Sequence, residues 1–134
     1  MAAPTVRAHE RLKRLARYLV GTQEVVWYYR WQTADVRDLV VSVDSDWAGC
    51  RRARKSTSGG CIVLGGHALK SWSGTQATVA MSSAEAEYYA LVEGAVRGLG
   101  LESMMRELGI DVSVLLATDS SAPKVFHFSE VSVE

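Results

Sequence analysis

The chain has 134 residues, 48% hydrophobic and 22% charged, with 15 Lys/Arg balanced by 15 Asp/Glu. This length suits a single hydrophobic core, and the composition excludes the low-hydropathy, high-charge pattern of disordered chains. No apolar run reaches the roughly 18–20 residues that cross a bilayer, the start MAAPTVRAHE lacks a secretory signal's apolar core, and Cys50 and Cys61 fit neither a disulfide framework nor a CxxC site. The expectation is therefore an intracellular protein, cytoplasmic or nuclear, not secreted and without a membrane partner, whose two thiols stay reduced. The charges are unevenly placed. Residues 1–55 carry eleven Lys/Arg against six Asp/Glu, and residues 82–134 three against nine. A basic surface beside an acidic centre suits a protein that meets a polyanion while keeping carboxylates available.

Residues 8–19 predict an amphipathic helix, with Leu12, Leu15, Ala16 and Leu19 on one face and Arg11, Lys13, Arg14 and Arg17 opposite, stopped at Gly21. Val25 to Trp31 is β-branched and aromatic and predicts a strand, followed by a polar link to Asp38. Leu39 to Val43 predicts a buried strand that ends at Asp44-Ser45-Asp46, and Gly49 to Ser58 predicts a polar, basic loop. Gly60 to Leu64 and Ala68 to Ser73, joined by Gly65-Gly66, predict an antiparallel hairpin.

Ser82-Ser83-Ala84-Glu85 has the spacing of a capping box and predicts a helix starting near Ser83. Its apolar stripe is taken as Ala84, Tyr88, Leu91, Ala95 and Leu99, with a further turn through Met104, Met105 and Leu108 closing at Gly109. Gly94, Gly98 and Gly100 each cost a helix about 0.8–1 kcal/mol relative to Ala, so a break near Gly98 is expected. Val112 to Ala117 predicts a second buried strand that again ends on an acid, Asp119. A right-handed crossover through the helix lays this strand parallel to and beside the first. The result is an α/β fold whose acids, Asp44 and Asp119, meet at the carboxyl edge where such sheets bind ligands.

Two carboxylates so placed repel each other, and a cation relieves the repulsion. Glu87 lies on the same side of the helix as Leu91 and Gly94 and can join them, whereas Glu85 is about 200° away and is committed to the cap. Three oxygen donors without His or Cys favour Mg²⁺ or Mn²⁺, and a pair of such ions implies phosphodiester hydrolysis.

Four stretches resemble the ribonuclease H domain of copia-type retrotransposon polyproteins: Asp44-Ser45-Asp46-Trp47-Ala48-Gly49, Arg54-Lys55-Ser56-Thr57-Ser58-Gly59, Ser71-Trp72-Ser73, and Val79 to Tyr88 with its Ser-Ser-Ala-Glu-Ala-Glu-Tyr core. His9 to Thr22 resembles the segment that joins reverse transcriptase to that domain in this family. The resemblance implies a ribonuclease-H-like mixed sheet, an antiparallel hairpin plus a parallel strand across a helix. Residues 1–38 would be a connection-like segment, 39–122 the domain and 123–134 an unmatched tail, the sheet being incomplete at the C-terminus. It implies an endonuclease that hydrolyses the RNA strand of RNA–DNA hybrids with two Mg²⁺ or Mn²⁺ ions, alongside a reverse transcriptase portion. The catalytic, metal-holding acids would be Asp44, Glu87 and Asp119, with Asp46 competing for the first place. The loop of Arg51, Arg52, Arg54, Lys55 and Ser56 would meet backbone phosphates, which position a nucleic acid without reading its sequence.

The family's basic residues after Ser73 are replaced here by Gly74 and Thr75, and its later helix, fifth strand and fourth acid find no match beyond about Ala122. An inactive remnant that binds nucleic acid weakly is therefore the alternative. On that reading the 112–117 strand has a bare edge open to self-association. A small-ligand α/β module ranks last, for want of a glycine-rich phosphate loop.

Overall fold

Leu39, Val41 and Val43 are buried while Ser42 and Asp44 are exposed, the two-residue period of a strand with one covered face. In the computed structural model, which describes residues 5–24, 26–32, 36–50 and 52–118 and the backbone of 124–128, this strand is the centre of a mixed sheet. The chain divides into two compact units, Met1–Arg30 and Trp31–Glu134.

The first unit holds α1 (Val6–Gly21), capped by Thr5, whose hydroxyl accepts from the Ala8 N–H at 3.1 Å. The strand expected over Val25 to Trp31 is not formed: residues 26–32 are non-regular, and Val25 lies outside the described residues. β-branched and aromatic content favours a strand only where a partner offers a ladder, and among the described residues no strand pairs with residues 26–32.

The second unit contains β1 (Asp38–Cys50), β2 (Lys55–Leu64), β3 (His67–Thr75), α2 (Ser83–Glu107), β4 (Ser113–Thr118) and β5 (Lys124–Phe128), with sheet order β3-β2-β1-β4-β5. β2 pairs antiparallel with β1 and with β3, and β4 runs parallel to β1 from Asp38↔Ser113 to Val43↔Thr118. The hairpin, the crossover helix and the parallel strand thus stand as the ribonuclease-H-like α/β order requires. Two expected boundaries move. β1 continues to Cys50 because β2 keeps pairing with it through Asp46↔Thr57, so the expected loop over 49–58 shrinks to a turn. β5 pairs antiparallel with β4, from Val114↔Phe128 to Thr118↔Lys124, so the bare β4 edge and the self-association through it lose their basis. Lys124-Val125-Phe126-His127-Phe128 is rich enough in β-branched and aromatic residues to pair, whatever it aligns with.

α2 covers one face of the sheet. It is continuous over 25 residues, without the break expected at Gly98, and its buried positions are Ala86, Ala90, Gly94 and Gly98. Tyr88 and Leu99, assigned to the core stripe from the sequence, are exposed. The stripe that docks is made of small residues because the helix sits close to the strands: a Cβ on Gly98 would come within 2.9 Å of both Val114 Cγ1 and Val41 Cγ2. The core beneath consists of Leu39, Val41, Val43, Ile62, Val112, Val114 and Leu116, flanked by Leu64, Trp72, Leu91 and Met105. The helix ends where Gly109, at φ +77°, turns the chain left-handed, with its N–H bonded to Arg106 O and that of Ile110 to Met105 O, both at 2.9 Å.

Two glycines of the same helix should therefore respond in opposite ways. Gly100→Ala, with nothing within 4 Å of the new methyl, should stabilise the chain by about 0.8–1 kcal/mol. Gly98→Ala gains the same propensity but presses on two stiff valines, at an overpacking cost of about 1–3 kcal/mol, and should be net destabilising. Urea unfolding of the two variants reads the difference; equal stabilisation of both would mean that the helix is not seated tightly.

Candidate metal centre

The parallel ladder between β1 and β4 stops at Val43↔Thr118, while the antiparallel ladder with β2 continues. Asp44 is thus the first β1 residue beyond the β4 ladder. With Ser42, Gly59, Cys61, Ala117 and Thr118 it lines an open hollow of about 650 Å³. By strand alternation it shares the face of Ser42, away from the face where Val41 and Val43 lie under α2. Asp46 is engaged in the hairpin: its Oδ1 accepts the Thr57 N–H just before the register shift between Asp46 and Cys50, where Ala48 takes a positive φ of 52°. Both acids of the Asp-Ser-Asp run are exposed; Asp46 has one oxygen engaged by the Thr57 N–H, whereas Asp44 lines the open hollow.

Glu87 arrives from the other side of the strand. Its Oε1 accepts a hydrogen bond from Ser45 Oγ at 3.1 Å, so it reaches the residue next to Asp44. Its Oε2 is buried and has no hydrogen-bond partner among the described residues. A desolvated, unsatisfied carboxylate oxygen is costly, and a hard cation is one of the few groups that satisfies it without a donor proton. An oxygen-seeking divalent ion suits that one oxygen, but Asp44 leaves the opposite face of β1 and Glu87 is not among the residues lining its hollow, so the expected convergence of the two acids is not formed. Among the described residues no group of three or more His, Cys, Asp or Glu stands together, and Asp119, the third expected acid, lies outside those residues.

Local structure fixes how Glu87 points. Ser82 caps α2 by accepting from the Glu85 N–H at 3.2 Å. Glu85 reaches back one residue further than a capping box requires, accepting the Met81 N–H at 2.7 Å on Oε2 and the Tyr89 hydroxyl at 2.9 Å on Oε1. Gln76, which the sequence did not single out, is buried after β3 and donates from Nε2 to both Ser58 Oγ and Ala86 O at 2.9 Å. It ties β2 to the helical turn that carries Glu87. Ser45 stands between two acids and is likewise not singled out by the sequence. The only sequence signal for either was a polar residue next to a motif.

The basic turn is divided in its roles. Arg52 and Arg54 are exposed at the hairpin tip, whereas Lys55 Nζ donates to Ala77 O at 2.8 Å. Ser56 is fully buried and accepts the Ala48 N–H at 3.0 Å, so it holds the hairpin from inside instead of facing solvent. Arg51 lies outside the described residues. Trp47 donates from Nε1 to Ala80 O at 3.2 Å, pinning the Asp-Trp run to the approach of α2. Further along α2, Arg97 stacks over Trp72 of β3 at 4.9 Å and pairs with Glu93 at 2.7 Å.

Sequence comparison finds relatives of this chain. A retrovirus-related Pol polyprotein from transposon RE1 of Arabidopsis thaliana is 34% identical over 110 residues, 82% of this chain and 7% of the polyprotein. The chain is a relative of retrotransposon Pol polyproteins. It is also 41% identical over 93 residues, 68% of the chain, to an uncharacterized mitochondrial protein of Arabidopsis thaliana, and spans 37% of that protein. A secreted RxLR effector protein of Plasmopara viticola is 43% identical over 84 residues, 63% of the chain and 58% of the effector. The chain thus covers less than two thirds of each of these relatives. No protein-family model and no solved structure matches it. No helix among the described residues is long and apolar enough to cross a membrane.

Gln76→Ala should lower stability by about 1–3 kcal/mol, because the buried Ser58 hydroxyl and Ala86 carbonyl lose their shared donor. Urea denaturation measures this, and a loss below about 0.5 kcal/mol would mean that the Gln76 bridge does not hold β2 to α2.

Proposed function

We propose that this chain is the ribonuclease H portion of a retrotransposon Pol polyprotein, hydrolysing the RNA strand of RNA–DNA hybrids. The observation that carries this reading is Glu87: one oxygen is held by Ser45 beside Asp44, and the other is buried without a partner. The motif resemblance around Asp44, Arg54 and Glu87 and the kinship with Pol polyproteins support the same reading. Glu87 would hold Mg²⁺ or Mn²⁺ together with Asp44 turned round the β1 edge beyond the Val43↔Thr118 pair, where the parallel ladder ends, and Asp119, the acid that follows β4 in sequence, would be the third ligand. Bound there, a pair of such ions would supply an activated water and a charge clamp for the leaving oxygen.

The chain's own residues do the positioning. Ser45 fixes the rotamer of Glu87, Gln76 fixes the turn that bears it, and Trp47 fixes the strand that bears Asp44. The exposed Arg52 and Arg54 would contact backbone phosphates, whose recognition is independent of base sequence. The substrate is thus a hybrid of any sequence, and the natural neighbour is a reverse transcriptase portion that generates such hybrids.

Thermal unfolding with and without Mn²⁺ tests the ligand set, together with cleavage of a labelled hybrid. An ion at 100 times its dissociation constant should stabilise the folded chain by about 2.7 kcal/mol. Glu87→Gln and Asp44→Asn should each remove that gain and abolish cleavage, while single-stranded RNA stays uncut throughout. Mn²⁺ stabilisation that survives both substitutions would place the ion elsewhere. Hybrid binding with no cleavage in Mn²⁺ would leave only a nucleic-acid-binding remnant.

A further inference from the structure

The first unit contains a charged surface that the candidate metal centre does not use. α1 carries five of the chain's fifteen Lys/Arg in sixteen residues, against a single acid, Glu10, although the chain as a whole is neutral. Arg7, Arg11, Lys13, Arg14 and Arg17, with Glu10, line one hollow of about 580 Å³. Among the described residues none of the five cations is in an ion pair. Five cations around the single counter-charge of Glu10 still repel each other, and on a helix like charges three or four apart destabilise it by a few tenths of a kcal/mol per pair. No acidic side chain occupies the first turn to offset this.

We propose that the basic face of α1 is a second nucleic-acid contact, binding the sugar-phosphate backbone of a duplex. Arg7, Arg11 and Arg14 follow each other by four and three residues, so they form one row along the helix. At 1.5 Å per residue this row covers about 10 Å, a length of duplex axis over which one strand, rising about 3.4 Å per nucleotide, carries about three phosphates. Four of the five cations are arginines, whose planar fork takes phosphate oxygens in pairs. An anionic lipid surface is the weaker match. The opposite face offers Leu12, Leu15 and Leu19 with alanines and no aromatic residue, whereas interfacial helices depend on a Trp-, Phe- and Leu-rich face. The contact adds grip without base specificity, as a hybrid nuclease requires, but it does not depend on the chain being one.

The test is fluorescence anisotropy of the whole chain with a short labelled RNA–DNA hybrid and a labelled DNA duplex over a range of salt. Replacing Arg7, Arg11 and Arg14 by Gln should flatten the slope of log affinity against log salt by about 2–3, since each phosphate contact contributes about 0.9. Both duplexes should lose at least tenfold in affinity at low salt. The Lys triple variant should keep the slope, which separates lost charge from a disturbed helix. Mn²⁺ stabilisation through Glu87 should be unchanged in all variants, so the two proposals fail separately. An unchanged slope in the Gln variant overturns the inference. So does a result in which the Gln variant keeps duplex binding but loses binding to phosphatidylserine–phosphatidylcholine vesicles, which would assign the face to lipid.

Discussion

The close seating of α2 on the sheet is the constraint on which the rest of the second unit depends. Ala86, Ala90, Gly94 and Gly98 present almost no side chain to the strands, so the helix axis lies near enough for Val41 and Val114 to fill the space that larger residues would occupy. That depth decides where Glu87 goes. It is the neighbour of Ala86, so its carboxylate is carried down to the level of β1, where it meets Ser45 and leaves one oxygen enclosed. The glycines cost helix propensity of about 0.8–1 kcal/mol each, and the packing they allow offsets that cost.

Polar bridges then fix the height and rotation of the helix start. Gln76 spans from Ser58 to Ala86, Ser82 and Glu85 close the first turn, and Trp47 reaches Ala80 just before it. The Gln76 bonds are buried and the Trp47 bond half-buried, where an unmade partner costs more than a made bond contributes, while the Ser82–Glu85 cap is exposed. The hairpin side is built in the same way: Asp46, Ser56 and Lys55 are turned to the backbone of Thr57, Ala48 and Ala77, leaving Asp44, Arg52 and Arg54 toward solvent. A motif of several polar residues thus divides into those that shape the site and those available to a substrate.

Much of this order was legible from the residues. Alternating and continuous apolar runs revealed β1, β4 and the β2–β3 hairpin, the capping box located the start of α2, and crossover handedness laid β4 beside β1. The stripe of α2 was misread because a hydrophobic pattern weights Tyr88 and Leu99 and ignores glycine, although close packing selects the residue with no side chain. The 25–31 strand was misread for the converse reason, since propensity was present and a pairing partner was not. β5 was missed because the tail was judged by what it aligned with and not by its own content. Gln76 and Ser45 were illegible: each acts through one or two hydrogen bonds to residues far along the chain, and no spacing rule encodes such a bond.

An ion shared by the buried oxygen of Glu87 and by Asp44 requires the Asp44 carboxylate to turn round β1 where the β4 ladder ends, since the two side chains approach from opposite faces of the strand. Anomalous diffraction from crystals of the chain grown with Mn²⁺ tests this directly. A peak is expected within coordination distance, about 2.0–2.3 Å, of Glu87 Oε2 and an Asp44 carboxylate oxygen. A fully occupied peak bound elsewhere, with Glu87 Oε2 still enclosed by protein, would contradict it.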